Sequence, residues 1–400
     1  MMKACIWKFS LLLAVLALVG ISPSSAAAVS SSSPGFAWAW GQNDYGQLGS
    51  NSMDQSVVPV AVQMPENVAF TVISAGYDHS LALDTAGHAW AWGKGPLGSR
   101  STNGSLVPVA VEMPPNIAFT TISAGSEDSL ALDTAGVAWA WGRNDYGQLG
   151  NNSTLLSPAP VAVQMPMNVM FTRISAGTGY SLALDAAGHA WAWGANDSGQ
   201  LGSNGTDQSL VPVAVQMPPS VTFTMISASG GRPGYSLALD TAGHAWAWSA
   251  NDHGQLGSNS TDQSLVPVAV QMPANVAFTT ISAGYDHSLA LDTAGLAWAW
   301  GNNWSNELGA NIRPFSVAPV AVQMPANVTF ATISAGEGYC LALDTAGHGW
   351  AWGTGPLGNN RTNDAIAEVP VALQMSTSVT FTMISAGAYH SLALQHGSDL

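Results

Sequence analysis

A tryptophan-alternating pentapeptide, AWAWG or a near variant, punctuates the chain seven times, with its second tryptophan at Trp40, Trp92, Trp141, Trp193, Trp248, Trp300 and Trp352. The spacings are 52, 49, 52, 55, 52 and 52 residues. A period near fifty is too long for heptads or leucine-rich repeats and suits one four-stranded propeller blade. The unit between tryptophans agrees. Residues 58–63, 69–74, 80–83 and 88–92 are short, turn-bounded apolar stretches, three of them alternating. Trp90 and Trp92 share one strand face with Ala89 and Ala91 on the other, and Leu81 and Leu83 oppose Ala82. Bulk on one side and alanine on the other suit sheets packed face to face around a ring.

The turns are equally regular. Asp84-Thr85-Ala86-Gly87 has the Asp-first, Gly-last signature of a type I turn, and the aspartate recurs at Asp133, Asp185, Asp240, Asp292 and Asp344. Six aspartates at one repeat position read as turn caps rather than as a catalytic or metal set. His88, His189, His244 and His348 follow these turns, but Val137 and Leu296 occupy the same place, which argues against a ligand role. The loop after each tryptophan strand reads NDYGQLG at 43–49 and 144–150, NDSGQLG at 196–202 and NDHGQLG at 251–257. It lacks the alternating carboxylates of a calcium loop and reads as an Asx turn followed by a buried leucine.

WGxNxxGQLG, an apolar xPxxV stretch, ISAGxxHSLAL and then DxxG before the next WxWG together resemble the regulator of chromosome condensation repeat, over roughly residues 36–394. The resemblance implies an all-β fold, a seven-bladed β-propeller. Ser249, in place of the glycine after Trp248, departs from the pattern. The chain's strands start on AWAWG without a preceding SLAL and finish on SLAL at 391–394 without a following tryptophan strand, so the two orphans are expected to complete one composite blade and close the ring.

Three segments are expected: a signal peptide at 1–28, a flexible lead-in at 29–35 and one propeller at 36–395. Lys3 and Lys8 precede an apolar run too short to span a bilayer comfortably, and 24–28 (SSAAA) are cleavage-site residues, so a secreted protein, extracellular or periplasmic, is expected, with no membrane association after signal removal. Cys340 is then the only thiol; it takes the place of the repeat's serine and reads as buried and inert. Nine Lys and Arg against 24 Asp and Glu make nucleic acid an improbable partner.

Specificity is expected where repeats disagree. The loops between SAG and SLAL hold Tyr77, Asp78, Glu127, Asp128, Tyr180, Tyr285, Asp286, Glu337, Tyr339 and Tyr389, and one repeat carries the insertion 229–235 with Arg232 and Tyr235. A ring of tyrosines and acids suits a protein partner, because tyrosine offers large contact area at low entropy cost. His79, His287 and His390 in the same loops read as structural. The resemblance makes a monomeric, non-catalytic interaction scaffold the first expectation. It implies guanine-nucleotide exchange for some members, which secretion and acidity disfavour, and an inhibitor of β-lactamase among secreted bacterial relatives. A carbohydrate-binding propeller is the alternative, resting on Trp304, the one irregular loop tryptophan after the signal. A hydrolase or lyase is a weaker one. No nucleophile elbow, HExxH or phosphate loop occurs, and Glu127-Asp128 with Glu337 is the only unusual acidic set. No catalytic residue, metal or cofactor is called for.

Overall fold

The computed structural model describes residues 35–100, 104–362, 365–375 and 378–395; the expected signal peptide and residues 29–34 of the lead-in lie outside them. Twenty-eight strands form seven four-stranded antiparallel sheets. Six sheets are contiguous in sequence, at 70–110, 119–162, 171–214, 223–269, 278–321 and 330–372, and are numbered here as blades 1–6. The seventh is composite: Phe36–Gly41 pairs with Ser56–Ala61 on one side and with His390–Gln395 on the other, and Phe381–Ala386 completes it. The chain therefore closes a seven-bladed β-propeller through its first and last strands, as the offset of the two orphan motifs predicts.

Alternation explains the stacking. The second tryptophan of every repeat is fully buried, as are the alanines beside it and the leucines of SLAL. Trp92 stacks on Phe70 of its own blade, with ring centroids 6.0 Å apart and planes 8° from parallel. Its Nε1 donates to the Gln47 carbonyl of the preceding blade at 2.8 Å. That places the GQLG loop of one blade under the tryptophan of the next. The first tryptophan of each pair serves the turn. Asp84 Oδ1 accepts the Ala86 and His88 amides at 2.9 Å each, and its Oδ2 accepts Trp90 Nε1 at 3.1 Å. Burial raises the Asp84 carboxyl, but these donors outweigh it and hold it below its ordinary value. In the composite blade Gln395 Oε1 does the same for Trp38 Nε1. Asn43 anchors its loop by a longer bond than an Asx turn, with Oδ1 accepting the Leu48 amide five residues on at 2.9 Å, and the leucine is buried as expected.

The first strands of neighbouring blades touch one another around the axis. Each blade gives the next a serine hydroxyl. Ser74 Oγ accepts the Ala124 amide at 2.9 Å, Ser123 that of Ala176, Ser175 that of Ala228 and Ser227 that of Ala283. Ser282 accepts from Ala335, Ser334 from Ala386, and Ser385 from Ala75 at 3.0 Å. Seven bonds of one sense thus circle the channel. Ser249 keeps the positive φ of the glycine it replaces, at 88°, and its Oγ donates to the carbonyls of Ser198 and Gly234.

Candidate functional site: the loop face

The turns between first and second strands and the loops after the tryptophan strands lie at the same end of the ring. Lys94, just after a tryptophan strand, shows this: its Nζ donates to Asp78 Oδ2 at 3.1 Å and sits 4.4 Å from the centre of the Tyr45 ring. Arg143 similarly joins Glu127 and Asp145. Arg232, from the insertion, lies over the Tyr146 ring at 4.7 Å and donates to its hydroxyl at 3.1 Å. Tyr77 and Tyr389 meet edge to face at 5.1 Å with hydroxyls 3.0 Å apart, and Tyr389 donates to Glu337 Oε1 at 3.2 Å. The structure therefore brings Tyr77, Asp78, Glu127, Arg232, Tyr285, Asp286, Glu337 and Tyr389 to one face. Trp304 is 67% exposed in the loop after its strand, its amide held by Asn302 Oδ1.

Four expected contact residues are not available to a partner. Tyr180, Tyr235 and Tyr339 are 0% exposed and Asp128 is 1% exposed. The strand starts one residue earlier than the SLAL pattern suggests, for example at His79–Asp84 and Tyr180–Asp185, so the third loop residue is the first strand residue. Alternation then turns it inward with the two leucines. Together with His79, His287 and His390 these residues occupy the seams between blades. Tyr339 donates to the His390 carbonyl at 2.8 Å and lies 3.0 Å from Ser391 Oγ. Tyr235 reaches the His287 carbonyl and accepts Ser288 Oγ; Tyr180 reaches the Tyr235 carbonyl. His79 Nε2 is 3.2 Å from Ser129 Oγ, and His390 Nε2 is 2.8 Å from Ser80 Oγ. Burial lowers His79 to about 4 and His287 and His390 to about 3, so the rings are neutral over the physiological range. The histidines are structural, as expected, but their ring partners belong to the next blade.

Asp128 differs. Neither carboxylate oxygen has a partner among the described residues, and burial first, then Glu127, pushes its carboxyl well up. Glu127 and Asp128 do not join Glu337 in one acidic set. Glu337 instead lines a cavity of about 400 Å³ with Asp286 and Glu307, where the ends of blades 5 and 6 meet the composite blade.

Sequence reasoning passed over Glu307. It replaces the glutamine of GQLG, found at Gln47, Gln148, Gln200 and Gln255, and that substitution was its available signal. It is 3% exposed, and burial raises its carboxyl to about 7. Cys340 Sγ lies 3.2 Å from His287 Nε2, a spacing that suggests a nucleophile and its base. Burial pushes the thiol well up and the imidazole down, the opposite of an activated pair. Cys340 also donates to the Glu307 carbonyl, as Ser288 does to that of Gln255, and so fills a serine's place. Among the described residues no cluster of His, Cys, Asp and Glu is arranged to hold a metal ion, and no helix is long and apolar enough to cross a membrane.

The model of the RCC1-like domain matches residues 16–276, and RCC1 repeats match 278–306 and 346–394. The chain belongs to the RCC1-like family. It is 27% identical over 368 residues to the ultraviolet-B receptor UVR8 of Arabidopsis thaliana, covering 90% of this chain and 71% of the receptor. It is 27% identical over 223 residues to the human E3 ubiquitin-protein ligase HERC2, which is 55% of this chain and 5% of that protein. Prp20p of Saccharomyces cerevisiae superposes with a TM-score of 0.81 at 22% identity over 92% of this chain and 93% of its own. Human WBSCR16 superposes at 0.80 and 20% identity, over 91% and 100%. These two likenesses speak to the fold alone.

Proposed function

We propose that this RCC1-like propeller is a secreted, non-catalytic, monomeric interaction module that binds an extracellular or periplasmic protein through its loop face. The observation that carries the reading is the contrast between the two ends of the ring. One end repeats the same Asp-capped turn, while the other gathers the variable tyrosines, acids and cations in defined pairs. Tyrosines in short turns held between fixed strands are efficient contact residues. Prp20p, of the same fold, is described for its binding to Gsp1p and histones. Support for secretion is the apolar run at 11–19, preceded by Lys3 and Lys8 and followed by the small residues 24–28.

The test is partner capture from the native extracellular medium. Replacing Tyr77 and Tyr389 together by serine is expected to reduce capture at least tenfold, while Thr85→Ala and Thr345→Ala on the opposite turns leave it unchanged. Equal loss from both pairs overturns the assignment of the face. Trp304 supports a second reading, carbohydrate binding, through its exposed ring. Glycan-array binding that Trp304→Ala abolishes would favour it over the protein-binding reading.

A further inference from the structure

The loop face is divided by charge. At blades 1 and 2 the loop acids have cations: Asp78 meets Lys94, and Glu127 meets Arg143. At blades 5 and 6 they do not. Among the described residues Asp286 has only His253 at 4.0 Å. Glu337 uses Oε1 to accept Tyr389, and its Oε2 is buried without a partner among the described residues. Both acids line the 400 Å³ cavity, and so do Tyr285 and Tyr389.

Glu307 is the third acid of that cavity and the informative one. Its Oε2 accepts the Ser305 amide at 2.8 Å, just as Gln47 Oε1 accepts the Tyr45 amide at 3.0 Å. The exchange of Gln for Glu therefore preserves the loop's own bond and puts an acceptor oxygen where four other blades have a donating NH₂. A buried carboxylate is costly to the fold, and the charge of Arg313 offsets only the smallest part of that cost, so the acid's presence here is not accounted for by the repeat. His287, 1% exposed, lines the same cavity, and its Nδ1 has no partner among the described residues. Arg313, the cation at this end of blade 5, is taken up by Asn306 Oδ1 at 2.6 Å.

We infer that the cavity receives an alkylammonium or guanidinium group, the side chain of a lysine or arginine on the protein partner. This rests on the protein-binding reading of the loop face and names what that partner presents. Asp286 and Glu337 supply charge, Glu307 ionises further as the cation enters, two tyrosine rings supply cation–π walls, and the cavity volume lies within the range of small-ligand pockets. Entry of the cation gives Glu337 Oε2 the partner that it lacks among the described residues.

The test titrates the mature chain by calorimetry with four probes: Nα-acetyl-lysine methylamide, Nα-acetyl-arginine methylamide, the neutral norleucine analogue and calcium chloride. The two cationic amides are expected to bind in the low millimolar range and the norleucine analogue at least tenfold more weakly. Glu307→Gln, which installs the repeat's own residue, is expected to weaken the cationic amides at least tenfold with a melting temperature no lower than that of the wild type. Equal binding by E307Q, or equal binding of norleucine, overturns the assignment. Calcium that binds while neither cationic amide does also overturns it, in favour of a metal. A chain that captures its partner but binds no cationic amide refutes the pocket and spares the loop-face reading; one that binds the amide but captures no partner does the reverse.

Discussion

The seam that Tyr339 closes and the seam that Asp128 leaves open occupy the same place in the repeat and behave oppositely. Tyr339 crosses from blade 6 to the composite blade and bonds two carbonyls and a serine there. Asp128, between blades 2 and 3, is too short to cross, and both its oxygens stay unpaired in a buried place. The glycine before each residue, Gly336 or Gly125, is retained at both, packed directly against the ring or the carboxylate. The difference teaches that a closed ring of equivalent blades need not have equivalent joints.

Tyr339→Ala should have the largest effect. It removes a buried aromatic and three hydrogen bonds at the joint that ties the composite blade to its neighbour, a loss of about 3–5 kcal/mol. Chemical denaturation measures it, and a cost no larger than at an exposed tyrosine would remove the basis of the comparison.

Acid should come next. His79, His287 and His390 have folded-state values depressed to about 4, 3 and 3 from 6.5. A depressed histidine favours the fold when neutral, so its stabilisation is complete above 6.5 and is lost as pH falls from 6.5 through these values. Three seams should weaken together in that window, while the tyrosine seams are indifferent to it. A melting temperature flat from pH 7 to pH 4 would contradict this.

Asp128→Asn should stabilise the protein by about 1–3 kcal/mol at pH 7, since it keeps the shape and removes the buried charge. Here the sign is reversed: the raised carboxyl favours the fold when protonated, so wild type and variant should converge as pH falls toward the ordinary carboxylate value of 3.8. A variant less stable than wild type at pH 7 would show that Asp128 is paired in solution. The smallest change is Cys340→Ser, which restores the repeat's own residue. It should alter stability by about 1 kcal/mol or less and leave the chain without a thiol in the described part.

The architecture was legible because it is written seven times. The period gave the blade, the offset of AWAWG and SLAL gave the closure, and Asp84 and Asn43 gave the turns. The seams were legible only in part. Tyr180, Tyr235 and Tyr339 sit beside exposed loop residues of the same chemistry, and a shift of one residue in where the strand begins reverses which side they face. The cavity was not legible, because Asp286, Glu307, Glu337 and Tyr389 come from three blades, and only the single Gln-to-Glu exchange marked it locally.

The seven serine-to-amide bonds around the channel all run in one direction, so every blade is both giver and receiver and none is terminal. Gly35, at one end of the described chain, packs against Gln395 at the other. The ring thus has no privileged beginning. A circular permutant opened in any loop after a tryptophan strand, with 35 and 395 joined, keeps the same set of neighbours, and the order in which the blades are strung is a property of the chain rather than of the folded ring.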